Sequence, residues 1–309
     1  MSTLTDAAAD YLRLRNQLGH DLAEYHRLLP RFVAFLDDAG LPTVTIAAAM
    51  AWANAPEVDP SGTVASRRMT IARGFARHMA GLDSRTEIPP FGVTGSRRRR
   101  HEPYIFSPND IDTLLRGAQG LRTRFACATH YSVIGLLAAT GMRVGEVIRL
   151  DRADLCPTDG RLLIRESKFG KSRMVPVHPS VLDALQRYAR LRDDVHPRLT
   201  TASFFVSIRG NRMVYPTVQA VFRNLCDGAG IGSGAPSRPR IHDLRHTFAI
   251  RTLIGWYRAG EDVEAQLPVL STYLGHRDPR WTYWYLSAAP ELLSLAASRL
   301  EATTSGGNR

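Results

Sequence analysis

The chain has 309 residues, a formal net charge of +11 and an isoelectric point of about 10.1. The length suggests two domains of ordinary size, and the charge predicts a polyanionic partner without separating DNA from RNA or an anionic membrane. Three widely spaced cysteines form neither a metal-binding pattern nor a disulfide framework, which favours a reducing cytoplasm. We expect neither a membrane span nor a secretion signal, because no apolar run reaches about 18 residues and the N-terminus lacks the signal pattern.

Residues 1–86 are predicted to form an all-helical DNA-binding domain. Apolar side chains between Tyr11 and Leu36 recur at three- and four-residue steps, as on one face of a helix. Further helices are predicted over 46–53 and 64–79, the last with Ser61 or Thr63 as its cap. A solvated surface would also explain the arginines of this last helix, but in so basic a chain we expect it to face DNA. Those arginines are Arg67, Arg68, Arg73 and Arg77.

Residues 87–103 break the helical pattern with prolines and glycines, followed by a run of four arginines. This composition is typical of an interdomain linker. A charge run is commonly just solvated, but between two basic domains it is well placed to follow a phosphate backbone. The expected DNA contacts in the linker are Arg97, Arg98, Arg99 and Arg100.

The second domain is predicted to span 104–301 and to be mainly helical with a small β-sheet. Ser107 and Pro108 form a typical helix start. The helical segments are expected over 108–117, 124–139, 179–191, 216–228, 242–255, 264–273, 278–287 and 290–301. Short strands are expected over 161–166, 173–177 and 204–206. Residues 302–309 are expected to be a disordered tail.

Several residues suited to attack on a DNA phosphodiester are spread over this second domain. Arg143 follows Thr-Gly-Met, and His242 and Arg245 form a His-x-x-Arg pair. His276 follows Leu-Gly, and we expect it just after a glycine turn, at the start of a helix. Two arginines could clamp the oxygens that gain negative charge, because the guanidinium binds two oxygens and stays protonated. A tyrosine nine residues after His276 could form a covalent phosphate ester. That tyrosine is Tyr285, although Tyr283 lies on the same predicted helix about 200° away.

Only two of the 40 basic residues are lysines, and both lie in one short segment, at Lys168 and Lys171. Unlike arginine, lysine can be tuned to release a proton, which fits a general acid for the leaving 5′ oxygen. Codon usage rich in arginine is the alternative explanation. For the paired His242 and His246, a zinc site is a rival interpretation, although Arg245 would repel a metal between them. His246 is otherwise expected to support packing.

Taken together, these positions closely resemble the tyrosine recombinase (phage integrase) family. The resemblance implies an all-helical core-binding domain followed by an α+β catalytic domain, without an additional arm-binding domain. It selects Tyr285 rather than Tyr283, Trp281 or Trp284, which are expected to pack. It assigns proton donation to Lys168, a DNA contact to Lys171 and a supporting role to Glu146. The implied catalytic set is Arg143, Lys168, His242, Arg245, His276 and Tyr285.

The resemblance further implies a site-specific recombinase or integrase that uses neither metal nor nucleotide cofactor. It implies that DNA is cleaved through a 3′-phosphotyrosine and that strands are exchanged through a Holliday junction. The implied assembly is a homotetramer on paired double-stranded DNA sites, and accessory recombinases or host factors are further partners that the resemblance allows. Such an enzyme would act in the bacterial cytoplasm, at the nucleoid. One departure is the segment from Arg245 to His276, which is longer than usual. The alternatives are a type IB topoisomerase-like enzyme and a non-catalytic DNA-binding protein.

Overall fold

A computed structural model describes residues 3–20, 22–56, 58, 63–93, 102–165, 172–276, 278, 280–288 and 292. The chain divides into two compact units, Met1–Arg100 and His101–Arg309, and the division lies inside the 87–103 segment. The arginine run 97–100, the two lysines and the tail 302–309 fall outside the described residues. So does all of the expected helix over 290–301 except Leu292.

The N-terminal unit is a bundle of helices α1 (Thr3–Gln17), α2 (Ala23–Asp38), α3 (Ile46–Ala53) and α4 (Val64–Met79). The helices predicted over 46–53 and 64–79 are confirmed. The first apolar run, however, forms two helices rather than one, because Gly19 adopts a left-handed conformation between them (φ 73°). Thr63 caps α4 without a side-chain hydrogen bond, and Ser61 lies outside the described residues. The bundle closes around buried apolar side chains that include Leu29, Phe32, Leu36 and Phe75.

The arginines of α4 have different surroundings. Arg67 and Arg77 are exposed, and Arg67 pairs with Glu24 at 3.1 Å. Arg68 is half-buried, where it donates to the carbonyl oxygen of Trp52 at 2.8 Å. The expectation that Arg73 faces DNA is wrong for this structure. Its side chain is buried and its Nε and Nη2 donate to the carbonyl oxygens of Pro89 and Pro90 at 2.7 and 2.8 Å.

The described part of the C-terminal unit contains eight helices: α5 (Pro108–Gln119), α6 (Arg124–Thr140), α7 (Val144–Arg149), α8 (Pro179–Val195), α9 (Tyr215–Gly228), α10 (Asp243–Arg258), α11 (Val263–Leu274) and α12 (Arg280–Ala288). Seven of them match expected helices, with ends that differ by up to four residues. The predicted start of α5 is confirmed: Ser107 accepts from the main-chain nitrogen of Asp110 at 3.1 Å, and Asp110 accepts from that of Ser107 at 2.8 Å. Helix α7 was not predicted, because six residues are too few to show a clear period.

A small antiparallel sheet joins β1 (Leu155–Cys156), β2 (Arg161–Ile164) and β3 (Arg173–Pro176) in that order. Strands β2 and β3 pair with Leu162 opposite Val175, so both apolar side chains point into the core. The strand expected over 204–206 is wrong. Val206 forms only an isolated bridge with Arg212, because the chain reverses between them. The fold class is nevertheless confirmed as mainly helical with a small sheet.

Two apolar clusters support the C-terminal unit. The larger one joins α5, α6, α8 and α9 to the sheet through side chains such as Val133, Leu137 and Phe222. The smaller one joins α10, α11 and α12, and it contains Leu253, Leu267, Tyr285 and Leu292. Residue Tyr285 is therefore held by packing between helices. Among the described residues, no helix is both long and apolar enough to cross a membrane.

Candidate active site

Helix α6 ends at a glycine that brings Arg143 into position. Gly141 adopts the left-handed conformation (φ 60°), and a Cβ atom there would come within 2.5 Å of Cδ1 of Phe248. The chain then turns so that Arg143 precedes α7. The Nη1 of Arg143 donates to Glu146 at 2.9 Å, and its Nη2 donates to the carbonyl oxygen of Gly275 at 3.1 Å. A quarter of the Arg143 side chain remains exposed, which leaves part of the guanidinium open to a ligand.

The second arginine of the predicted clamp, Arg245, is almost completely buried on α10. Its Nη1 donates to the carbonyl oxygen of Gly141 at 2.9 Å, and its Nη2 donates to that of Leu274 at 2.6 Å. Both acceptors are neutral main-chain oxygens, so these bonds orient the guanidinium without neutralising it. Burial, followed by the nearby charge of Arg143, lowers the pKa of Arg245 to about 10. A buried cation beside a partly exposed one favours an anionic ligand.

The carboxylate of Glu146 supports Arg143 through hydrogen bonds, in keeping with the role that the resemblance implies. It accepts from the main-chain nitrogen of Arg143 at 2.9 Å as well as from its guanidinium. It also accepts two bonds from Arg173, at 3.0 and 2.9 Å. Burial alone would raise the pKa of Glu146, but the bonds and charges of Arg173 and Arg143 lower it to about 2. Glu146 is thus ionised and unsuited to proton transfer near neutral pH.

His276 lies after the end of α11 and not at the start of a helix as expected. Gly275 ends α11 in the left-handed conformation (φ 67°), and the main-chain nitrogen of His276 donates back to Ser271 at 2.9 Å. The Nδ1 of His276 lies 2.8 Å from Oγ1 of the buried Thr282. Burial, followed by the charges of Arg245 and Arg143, lowers the pKa of His276 to about 3. With Thr282 donating to Nδ1, the neutral ring carries its proton on Nε2, where it can donate to a phosphate oxygen.

His242 and His246 occupy successive turns at the start of α10. Their rings lie 5.0 Å apart and perpendicular. His242 keeps an exposed surface. Desolvation by the protein atoms around its ring, followed by the charges of His246 and Arg245, lowers the pKa of His242 to about 4. His246 packs against Trp284 and Tyr285 at 5.5 Å, which agrees with its expected packing role. Within the described ranges, no third histidine, cysteine or carboxylate joins this pair to complete a zinc site.

The two candidate nucleophiles on α12 differ sharply in exposure. Tyr285 is 2% exposed, whereas Tyr283 is 49% exposed. The Tyr285 ring stacks on His276 with centroids 6.1 Å apart, and Tyr285 lies close enough to Arg245 to offset part of the lowering of the Arg245 pKa. Tyr283 and Trp281 were expected to pack but are exposed. Tyr283 lies about 200° from Tyr285 around α12, and Trp281 lies in the first turn of that helix. Trp284 does pack, against His246 and Tyr285.

The described residues thus bring together Arg143, His242, Arg245, His276 and Tyr285, which are up to 142 positions apart in sequence. Lys168 and Lys171 lie between β2 and β3 in sequence, outside the described residues. Two further residues were missed by sequence analysis: Arg173, which binds Glu146, and Thr282, which bonds to His276. Arg173 carries no sequence signal of its own among so many arginines. Thr282 lies six residues after His276, and no sequence pattern predicts that the two side chains contact each other.

Comparisons with known proteins show which family the chain belongs to. Residues 106–291, more than half of the chain, match the phage integrase family. An integrase/recombinase of Sinorhizobium fredii, y4rB, is 40% identical over 97% of this chain and 98% of its own length. The tyrosine recombinase XerD of Mycobacterium tuberculosis is 31% identical over 89% of this chain and 90% of its own length.

Solved structures with lower identity share the fold. The integrase of transposon Tn1549, in complex with transposon right end DNA, has a TM-score of 0.66 and 19% identity, covering 96% of this chain and 98% of that one. The XerA recombinase has a TM-score of 0.53 and 22% identity over the same shares of the two chains. The family match and the two relatives identify the enzyme class. The chain belongs to the phage integrase family and is a tyrosine-type site-specific DNA recombinase.

Proposed function

We propose that this recombinase cleaves and rejoins double-stranded DNA through Tyr285. The Tyr285 oxygen attacks the scissile phosphorus while its phenolic proton passes to the neutral ring of His242, a 3′-phosphotyrosyl bond forms, and the bond from phosphorus to the 5′ oxygen breaks. Lys168 protonates that leaving oxygen. A 5′ hydroxyl from a partner duplex then attacks the phosphotyrosine and releases Tyr285. Because the ester preserves the bond energy, no nucleotide is consumed.

The observation that carries this proposal is the approach of two arginines and a neutral histidine to one buried tyrosine. Arg143 and Arg245 are oriented mainly by main-chain carbonyls and Glu146, so they retain net positive charge for the phosphate. His276 stacks on Tyr285 and adds an uncharged donor. Preorganised donors of this kind each contribute about 3–4 kcal/mol to stabilising the charge that develops in the transition state.

The working assembly that we propose is a homotetramer on two paired DNA sites, which exchanges strands through a Holliday junction at the nucleoid of a bacterial cell. In this scheme the N-terminal unit binds DNA through its exposed arginines, including Arg67 and Arg77. The linker arginines 97–100 and Lys171 add phosphate contacts. Accessory recombinases or host factors would set the direction of exchange.

The proposal is tested by trapping the covalent intermediate. Duplexes are first enriched from a random-sequence library by retention on the protein. They are then nicked a few nucleotides from the cleavage point, so that cleavage releases a short fragment that carries the new 5′ hydroxyl and diffuses away. We expect a protein–DNA adduct that survives denaturant, with the DNA attached through its 3′ phosphate to the peptide containing Tyr285. Relaxation of a supercoiled plasmid without pairing of two sites would instead indicate a topoisomerase. Retention of DNA without any adduct would indicate a non-catalytic DNA-binding protein.

We expect excess EDTA to leave adduct formation and rejoining unchanged within about twofold. The charge on the phosphate is stabilised in this scheme by Arg143, Arg245 and His276 rather than by a metal ion acting as Lewis acid. The measurement compares adduct yield with and without EDTA, followed by addition of zinc or magnesium. Activity lost in EDTA and restored by zinc would favour the rival site formed by His242 and His246.

A further inference from the structure

Arg173, the first residue of β3, is held at each nitrogen of its guanidinium. Nη1 and Nη2 donate to the two oxygens of Glu146 at 3.0 and 2.9 Å, and Nε donates to the carbonyl oxygen of Tyr273 at 2.8 Å. Its side chain is only 12% exposed. A Cβ atom at Gly275 would come within 3.0 Å of its Nη1, so the guanidinium also packs against the turn that precedes His276. Arg173 is therefore fixed in both position and orientation.

These contacts form a closed circuit with Arg143. Glu146 accepts from both Arg173 and Arg143, and Arg143 in turn donates to the carbonyl oxygen of Gly275. The circuit connects β3, α7 and the end of α11, which are far apart in sequence. Two members of the proposed phosphate clamp, Arg143 and His276, are attached to it.

The charges of the circuit determine what Arg143 can bind. One buried carboxylate, on Glu146, faces two guanidinium groups, so the set of three has one positive charge in excess. With Arg173 in place, Glu146 is already compensated by a two-bond ion pair. Without Arg173, the only counter-charge in the circuit for this buried carboxylate would be Arg143. The existing ion pair between Arg143 and Glu146, at 2.9 Å, would then neutralise Arg143, and the charge of Arg143 would be lost to the phosphate.

We propose that Arg173 is a positioning residue of the phosphate clamp, which takes up the charge of Glu146 and leaves that of Arg143 for the scissile phosphate. The inference rests on the proposed function, in which Arg143 binds that phosphate. Arg173 itself does not touch DNA in this scheme. Its effect is electrostatic and passes through Glu146.

The test uses the full-length protein and the nicked duplex in two forms, one with a natural scissile phosphodiester and one with a methylphosphonate. In the methylphosphonate a neutral methyl group replaces a charged non-bridging oxygen, so the clamp has less charge to stabilise. On the natural substrate, Arg173→Gln should slow adduct formation by about 10- to 100-fold, less than the 10²–10³-fold typical of losing a direct donor. On the methylphosphonate, its deficit relative to the wild type should shrink to about threefold or less, because the missing charge of Arg143 no longer matters there.

A second variant separates charge from folding. The double variant Glu146→Gln with Arg173→Gln removes the carboxylate together with its partner, so no anion remains to capture Arg143. It should cleave the natural substrate at least about fivefold faster than Arg173→Gln alone, since neutral replacement of a buried ion pair is tolerated far better than its disruption. Arg152→Gln is the matched control, because Arg152 forms an exposed ion pair with Asp193. That variant should react like the wild type on both substrates.

Three results would overturn the proposal. Equal deficits of Arg173→Gln on the two substrates would mean a merely structural role. So would a double variant that is no faster than Arg173→Gln alone. If a 5′-bridging phosphorothiolate removed the deficit of Arg173→Gln and the methylphosphonate did not, Arg173 would act on the leaving group instead. Arg143→Gln distinguishes these failures from failure of the proposed function: if its own deficit is the same on both substrates, Arg143 does not bind the scissile phosphate at all.

Discussion

Replacement of Tyr285 by phenylalanine is expected to abolish the covalent protein–DNA adduct and to leave DNA binding nearly unchanged. The substitution removes only the attacking oxygen. The ring keeps its packing against His246 and His276, so the fold of this 2% exposed position should be preserved. DNA affinity should persist because it comes mainly from basic side chains that the substitution does not alter. Adduct is measured on denaturing gels, and binding by gel shift of the same nicked duplex.

Tyr283→Phe is the matched control on the same helix. Tyr283 is half-exposed and points away from the site, so its hydroxyl should be dispensable and the adduct should form at the wild-type rate. The opposite pattern, with adduct lost in Tyr283→Phe and retained in Tyr285→Phe, would transfer the nucleophile to Tyr283. Loss in both variants together with loss of DNA binding would mean that α12 supports folding rather than chemistry.

Local patterns in the sequence predicted most of the helices, and local physics explains why. The period of apolar residues over 64–79 and the Ser107–Pro108 start are properties of neighbouring residues, and both appear in the structure as α4 and α5. The same holds for the contrast between Tyr283 and Tyr285, which follows from the angle between residues two apart on a helix. Such predictions need no knowledge of the tertiary fold.

Predictions failed where a distant contact decides the outcome. Arg73 and Arg77 have the same sequence character, but Arg73 is buried because carbonyl oxygens of Pro89 and Pro90 accept its hydrogen bonds. Arg173 binds Glu146 across 27 positions, and nothing in either local sequence reveals the pairing. His276 was placed at a helix start, although Gly275 ends the preceding helix instead. Arg73 and Arg173 therefore show that the surroundings of an arginine depend on partners that its local sequence does not reveal.

Replacement of Lys168 by arginine is expected to slow cleavage of a natural phosphodiester by about 10²–10⁴-fold, the usual contribution of a general acid. Arginine keeps the positive charge but cannot release its proton at any working pH. The 5′ oxygen would then have to leave as an alkoxide, a strongly basic and poor leaving group. Lys171→Arg is the control from the same segment, and because a phosphate contact needs only charge it should cleave at nearly the wild-type rate.

A 5′-bridging phosphorothiolate distinguishes proton donation from simple phosphate binding. In this substrate Tyr285 still forms its bond to phosphorus, but the bond that breaks is from phosphorus to sulfur. A thiol has a pKa of about 8.5, so the thiolate leaves without protonation. Lys168→Arg should therefore cleave the phosphorothiolate within about fivefold of the wild type, because the step that needs the acid has been removed. A deficit that stays the same on both substrates would make Lys168 a phosphate contact, and the proton for the leaving group would have to come from another residue of the site.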